Sequence, residues 1–280
     1  MSWRLRIRHT TGYAYDTPVL ASFNEARLTP VTDVDQLTLE AQVVTSPEAE
    51  QQRYWDYWGT QVTAFDVHRP HSRLVVTATS VVDTADARPA PVVSGWDAVR
   101  SPEVRDRFVE MLTPTERTRP DEEMVVLARK AVEGLDPHDA AMAVMALAHE
   151  RVAYRPGSTG VATSAQEAWS QGSGVCQDIA HVTVALLRAV GLPASYVSGY
   201  LHPRREAAIG QTVTGESHAW VEVWLGGWWA YDPTNTVPAG ERHVVVGRGR
   251  DYADVPPLKG LFSGGGGHRL DVTVEVTRLQ

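Results

Sequence analysis

The sequence predicts an α+β protein: a β-sandwich-like domain over residues 1–90, then a second domain over 91–280 in which helices give way to antiparallel strands. Three observations predict it. Period-two alternation dominates the first 85 residues or so, helical periodicity takes over between about 120 and 190, and strand signals return from 194 onward.

In the first domain Trp3, Leu5 and Ile7 alternate with Arg4, Arg6 and Arg8, the pattern of a strand with one wet face. Tyr13 and Tyr15 follow the turn residue Gly12. Leu37 and Leu39 flank Thr38, Val43 and Val44 come next, and RLVVTATSVVD over 73–83 is rich in β-branched residues. Short strands broken by turn signals suggest an antiparallel sandwich. The Pro-rich stretch ARPAPVVSG (87–95) marks the domain boundary.

In the second domain Pro120 and Asp121 open a helix that carries Met124, Leu127, Ala128 and Ala131 and ends near Gly134. Asp136 and Pro137 form an N-cap and first-turn pair for a helix through Met142, Met145, Ala146 and His149. Ser164 and Glu167 have capping-box spacing. Residues 175–190, VCQDIAHVTVALLRAV, are apolar around most of the circumference and stop at Gly191, so this helix is buried. ASYVSGYL (194–201), SHAWVEVWL (217–225) and WWAYD (228–232) read as strands, the last two joined at Gly226-Gly227. Residues 269–279 alternate Leu270, Val272, Val274 and Val276 with Asp271, Thr273, Glu275 and Thr277, a half-buried strand. Between these, GRGRDYADVPPLKGLFSGGGGH reads as a long loop. Its Gly264–Gly267 run lacks the Lys-Ser/Thr and the helix that a phosphate-binding loop requires.

Composition narrows the function. A formal net charge of −8 with no basic stripe argues against a nucleic-acid partner. No run of about 18 apolar residues is present, and no apolar core follows the charged start, so a cytoplasmic protein with no membrane partner is expected. A single cysteine precludes an intrachain disulfide and the multi-cysteine metal sites, and no cofactor is expected.

That cysteine is Cys176, which follows Gly172-Ser173-Gly174 at the first turn of the buried helix. Free N–H groups and the positive helix end favour a thiolate there and can hold the oxyanion formed when it attacks a carbonyl. A plain core cysteine is the alternative. A thiol nucleophile needs a base. His181 lies five residues on, about 140° round the helix, and His9, His68, His71, His138 and His149 sit in segments with no tie to the cysteine. His218 begins a strongly apolar strand, and Asp232 ends the next one, just before Pro233. A three-residue loop, Leu225-Gly226-Gly227, sets His218 across from Thr234 with Asp232 as its same-face diagonal neighbour. A two-residue Gly226-Gly227 loop turns Asp232 to the other face. A Cys-His-Asp relay therefore predicts the longer loop, or a bulge.

The blocks GVCQDIAHVTVALLRAVGLPASYVSGY, SHAWVEVW and GWWAYDPTN together resemble the transglutaminase-like superfamily of papain-type fold. The N-terminal β-rich region and GRDYADVPP resemble its bacterial branch. The resemblance implies a nucleophile helix packed on an antiparallel sheet, with Cys176 as nucleophile, His218 as base and Asp232 as third member. It also implies acyl-thioenzyme chemistry on a peptide or protein amide. Hydrolysis by a peptidase or amidase is expected; isopeptide-forming transfer to amines and a catalytically retired binding module are the alternatives. Without an EF-hand loop, calcium activation is not expected. Substrate contacts are expected from Trp220, Asp178, Tyr252, Asp251 and Gln171, each with ordinary packing or capping as the competing role. Trp55, Trp58, Trp224, Trp228 and Trp229 are expected as core or interface packing, with the cleft near the junction of the two domains.

Overall fold

The computed structural model describes residues 2–92 and 95–280. Strand β1 (Trp3–Ala26) keeps its alternation long enough to serve several partners, burying Leu5, Ile7, Val19 and Ala26. Antiparallel to it, or to each other, run β2 (Gln36–Ser46), β3 (Gln51–Trp55), β4 (Gln61–Val67) and β5 (His71–Thr84). The first half of β1 pairs with β5 and the second half with β4, so the sheet curls rather than lying flat. Val93 and Ser94 of the expected connector lie outside the described residues.

Short helices α1 (Trp96–Val99), α2 (Pro102–Arg107) and α3 (Val109–Leu112) lead into α4 (Glu122–Ala131) and α5 (Pro137–Arg151). Asp121 and Asp136 cap the last two as their sequence positions predict, accepting from Met124 and Asp139 N–H groups. Strand β6 (Ala153–Tyr154), helix α6 (Ala165–Gln171) with its Ser164/Glu167 capping box, and β7 (Ser173–Gly174) lead into α7 (Cys176–Ala189). From Asp178 to Arg188 every residue of α7 is buried. Its last turn is pinned by Arg188, whose guanidinium donates to the carbonyls of Met111, Thr113, Ala194 and Arg250. Burial lowers its pKa to about 10, so it stays charged at the negative end of the helix.

The sheet that α7 packs against is made of β8 (Ala194–Leu201), β9 (Thr212–Trp224), β10 (Trp228–Asp232), β11 (Val237–Pro238) and β12 (His243–Gly249). Strands β13 (Leu258–Gly264) and β14 (His268–Arg278) complete the chain. The expected long loop over 247–268 is thus partly structured: it contains the end of β12, a 3-10 turn at Tyr252–Asp254, and β13 paired with β1. Its strand character depends on a partner more than 200 residues away, which local signals do not report.

Strand β14 lies between β1 and β9, so the last strand joins the N-terminal sheet to the sheet under α7. Trp3, Leu5 and Ile7 share one apolar cluster with Tyr200, Val244, Val246, Val274 and Val276. Gln36 acts as a stand-in strand partner where β12 bulges, donating to the Val245 carbonyl and accepting its N–H. Arg250 lies over Trp58, and Tyr57 donates to Glu110, so the N-terminal region reaches the segments around α7. Among the described residues no helix is long and apolar enough to cross a membrane.

Gly199 of β8 has no space for a side chain. A Cβ there would overlap the Val244 carbonyl oxygen and sit 2.7 Å from the Trp220 ring. Gly199→Ala is expected to cost about 3 kcal/mol or more through backbone displacement, measured as the denaturation midpoint; a loss under about 1 kcal/mol contradicts this packing.

Candidate active site

Helix α7 begins directly after the glycine-bearing segment Gly172-Ser173-Gly174. Gly172 closes α6 in the left-handed region, with φ of 66°. Gly174 leaves room for Asp178, whose Cβ would lie 2.6 Å from any Cβ added at 174. Asp178 folds back to accept the Val175 N–H at 2.7 Å and the Thr159 hydroxyl at 2.5 Å. Val175 has no polar side chain to cap the helix, and Asp178 supplies that function from the third helical position. Cys176, the first helical residue, is half-buried with a free thiol, and it packs on the same core as Tyr252.

The β9–β10 hairpin has the longer loop. Trp228 pairs with Trp224 and Trp229 with Val223, leaving Leu225-Gly226-Gly227 as the turn, with Gly226 at φ 81°. Asp232 thereby comes onto the His218 face. His218 Nε2 donates to Asp232 Oδ2 at 2.8 Å, both groups being buried. Asp232 Oδ1 accepts the N–H groups of Thr234 and Asn235, and Oδ2 also accepts from Asn235 Nδ2 at 2.7 Å.

His218 Nδ1 is buried and carries no hydrogen bond of standard geometry. Cys176 is nevertheless close enough that its hydrogen-bonding capacity and charge act on the ring together with those of Asp232. Resting thiol–imidazole pairs are often long and tighten when substrate binds. Burial alone pushes the imidazole pKa down. Asp232 and Cys176 override it and raise it to about 10. Burial likewise pushes Asp232 up, but hydrogen bonds from His218 and His243 hold its carboxyl far below the usual carboxylate range.

Residues 127–233 match the family model of the transglutaminase-like superfamily, and residues 5–83 match that of the bacterial transglutaminase-like N-terminal region. An uncharacterised protein of Mycobacterium leprae is 48% identical over 277 residues, 99% of both chains. The chain belongs to the transglutaminase-like superfamily. A candidate cysteine protease from Cytophaga hutchinsonii shares its fold, with a TM-score of 0.74 at 20% identity over 99% of this chain and 98% of that one. A protein-glutamine gamma-glutamyltransferase of Pseudomonas aeruginosa is 32% identical over 124 residues, 40% of this chain and 19% of that protein. The superfamily assignment agrees with a papain-type core in which α7 lies on an antiparallel sheet carrying His218 and Asp232.

Within that superfamily core, the expected substrate contacts divide. Asp178 is fully buried and caps its own helix, so it offers no face to a substrate. Trp220 is also fully buried, stacked near-parallel on His218 with ring centroids 6.2 Å apart. It is packing behind the histidine rather than a cleft surface. Asp251 is buried and caps the 3-10 turn by accepting from Ala253. Gln171 is exposed and donates to the Ser158 carbonyl and the Ser173 hydroxyl. Tyr252 is half-buried on the core that Cys176 also packs on, with its backbone N–H given to His181 Nε2. Burial pushes the His181 pKa down to about 3, so this latch is neutral.

Sequence reasoning missed His243. Its Nε2 lies 3.1 Å from Asp232 Oδ2, and its Nδ1 accepts the Gly240 N–H at 3.2 Å. The three groups His218, Asp232 and His243 are close enough to be weighed as a metal site. The Gly240 contact assigns the proton to His243 Nε2, the nitrogen that faces the carboxylate, whereas a ligating nitrogen carries none. The donor set fits a hydrogen-bonded relay and not a cation.

The raised His218 pKa makes its contribution to stability complete below the unfolded imidazole value of 6.5 and lost as pH rises through about 10. The depressed Asp232 pKa makes its own contribution complete above 3.8 and lost as pH falls below that. Asp232→Asn is therefore expected to be less stable than the parent chain by a margin that is largest between about pH 4 and 6.5 and shrinks toward pH 10. Denaturation midpoints across that range measure it; a margin that does not vary with pH contradicts the pairing.

Proposed function

We propose that this protein is a cysteine-dependent amide hydrolase or acyl transferase acting on peptide or protein amides. Cys176 is the nucleophile, His218 the acid and base, and Asp232 the group that orients His218. The observation that carries this reading is the buried His218 Nε2–Asp232 Oδ2 hydrogen bond, which leaves Nδ1 for the half-exposed thiol at the start of α7. Asp232 stabilises the imidazolium, and the imidazolium stabilises a thiolate. The thiolate sulphur attacks the amide carbonyl carbon, and the resulting oxyanion lies at the free N–H groups of the helix start. His218 gives its proton to the leaving nitrogen as the C–N bond breaks, leaving an acyl-thioenzyme. Water, losing a proton to His218, then releases the acid.

The same residues serve transfer to an amine. Hydrolysis is the first reading because water needs no binding site of its own. Transfer is the second, favoured by the local similarity to the Pseudomonas glutamyltransferase. Tyr252, half-buried on the same core as Cys176, is read as a wall of the cleft. The reading sets the protein in the cytosol, where a reducing environment protects a lone thiol.

Cys176→Ala and His218→Ala are each expected to lower hydrolysis of casein by about 10³-fold or more, Cys176→Ala with a melting temperature close to that of the parent and His218→Ala with a lower one, because it leaves Asp232 short of a buried partner. A variant that keeps full turnover sinks the assignment. Adding a fluorescent primary amine separates the two readings: incorporation into casein marks transfer, and release of acid alone marks hydrolysis.

A further inference from the structure

His243 is held from both ring nitrogens. The Gly240 N–H points into Nδ1 at 3.2 Å, and the His243 N–H returns to the Gly240 carbonyl at 2.8 Å. That closed turn leaves Nε2 as the protonated nitrogen, donating to Asp232 Oδ2 at 3.1 Å. The ring is nearly fully buried and meets Trp220 edge-on at 5.2 Å, and Trp220 in turn stacks on His218. Two imidazoles, with centroids 6.3 Å apart, therefore converge on one carboxylate oxygen with an indole packed against both.

The carboxylate does not need His243 to stay in place. Its other oxygen is fixed by two backbone N–H groups, and Asn235 holds Oδ2 as well. What the second imidazole adds is a donor that carries no charge. Burial, first among its influences, pushes the His243 pKa down, and the charges of His218 and Arg242 push the same way. A neutral donor shares the carboxylate's negative charge without repelling the imidazolium across from it.

Building on the active-site reading above, we propose that His243 is a positioning residue: a neutral, single-tautomer imidazole that takes part of the Asp232 charge, so that the His218 proton is held for the thiolate yet still released to a leaving amine. The charged and titratable groups around the pair are Asp232, Cys176 beyond His218, Arg242 next in the chain, and Tyr231 beside Asp232.

The test follows iodoacetamide alkylation of Cys176 in the full chain across pH. The thiolate displaces iodide, and because there is one cysteine, one added carbamidomethyl mass reports the event. The upper inflection of the rate profile marks loss of the His218 proton. His243→Phe, which keeps ring volume against Trp220, is expected to move that inflection up by about half a pH unit or more. His243→Gln, able to donate to Asp232 and accept from Gly240, is expected to restore it. Asp232→Asn should move it down by more than about one unit, and adding His243→Phe to that variant should change nothing further. An inflection unmoved by His243→Phe overturns the proposal, as does a downward shift with lost thermal stability, which makes the residue merely structural. If His243→Phe fails to fold, imidazole nitrogen shifts in the parent decide: a neutral Nε2–H ring that does not titrate between about pH 5 and 9 supports the role, and an Nδ1–H or titrating ring overturns it. Failure of the underlying reading looks different: Cys176 then alkylates as an ordinary thiol in the parent, or Asp232→Asn leaves the profile unchanged.

Discussion

A carboxylate removed from water is costly unless every oxygen is hydrogen-bonded, and losing one partner of such a buried charge typically costs about 3–5 kcal/mol. Asp232 meets that demand with five donors drawn from three chain segments: the middle of β9 at His218, the turn at Thr234 and Asn235, and the start of β12 at His243. The segments are tied to one another through this one side chain. The carboxylate therefore acts as both an electrostatic partner and a structural node.

The sheet around that node is closed by the chain's last strand. Because β14 pairs with β9 on one edge and β1 on the other, the strand bearing His218 is continuous with the N-terminal sheet. Shared burial reinforces the join. His9 of β1 is bonded to the Tyr200 hydroxyl of β8, and Val274 and Val276 pack in the same cluster as Leu5 and Ile7. Tyr13 of β1 is near enough to Tyr252 to raise the pKa of its hydroxyl alongside burial, the larger influence. The N-terminal region thus stands close to the 3-10 turn that follows β12.

The parts of this arrangement that were legible in the sequence are the ones governed by local rules. Helix α7, the Asp121, Asp136 and Ser164 caps, and the register of the β9–β10 hairpin follow from periodicity, capping chemistry and turn geometry. Strand β13 and the β1 partner of β14 were not legible, since their pairings are set by residues far away in the chain. His243 was hidden for the same reason: nothing near it in sequence points to a carboxylate. Asp178 is a different case. Two residues beyond Cys176 on a helix is about 200° of rotation, so spacing already turned it from the nucleophile's face. Trp220, two residues beyond His218 on a strand, shares its face, but sharing a buried face makes it a packing neighbour.

The packing dependencies run in one direction. Gly199 has no side chain, and that vacancy admits the Trp220 ring between β8 and the two imidazoles. Trp220 packs against both His218 and His243, and its own burial is complete. Because His218, Asp232 and His243 are themselves buried, the hydrogen bonds to Asp232 act at lower local dielectric and weigh more on the imidazole than they would at a surface. Cys176, in contrast, is half-exposed at the end of its helix. The proposed relay is thus buried on its carboxylate side and partly exposed at its cysteine, the asymmetry that the acyl-transfer reading asks for: buried groups set the proton affinity, and the thiol is the member nearest solvent.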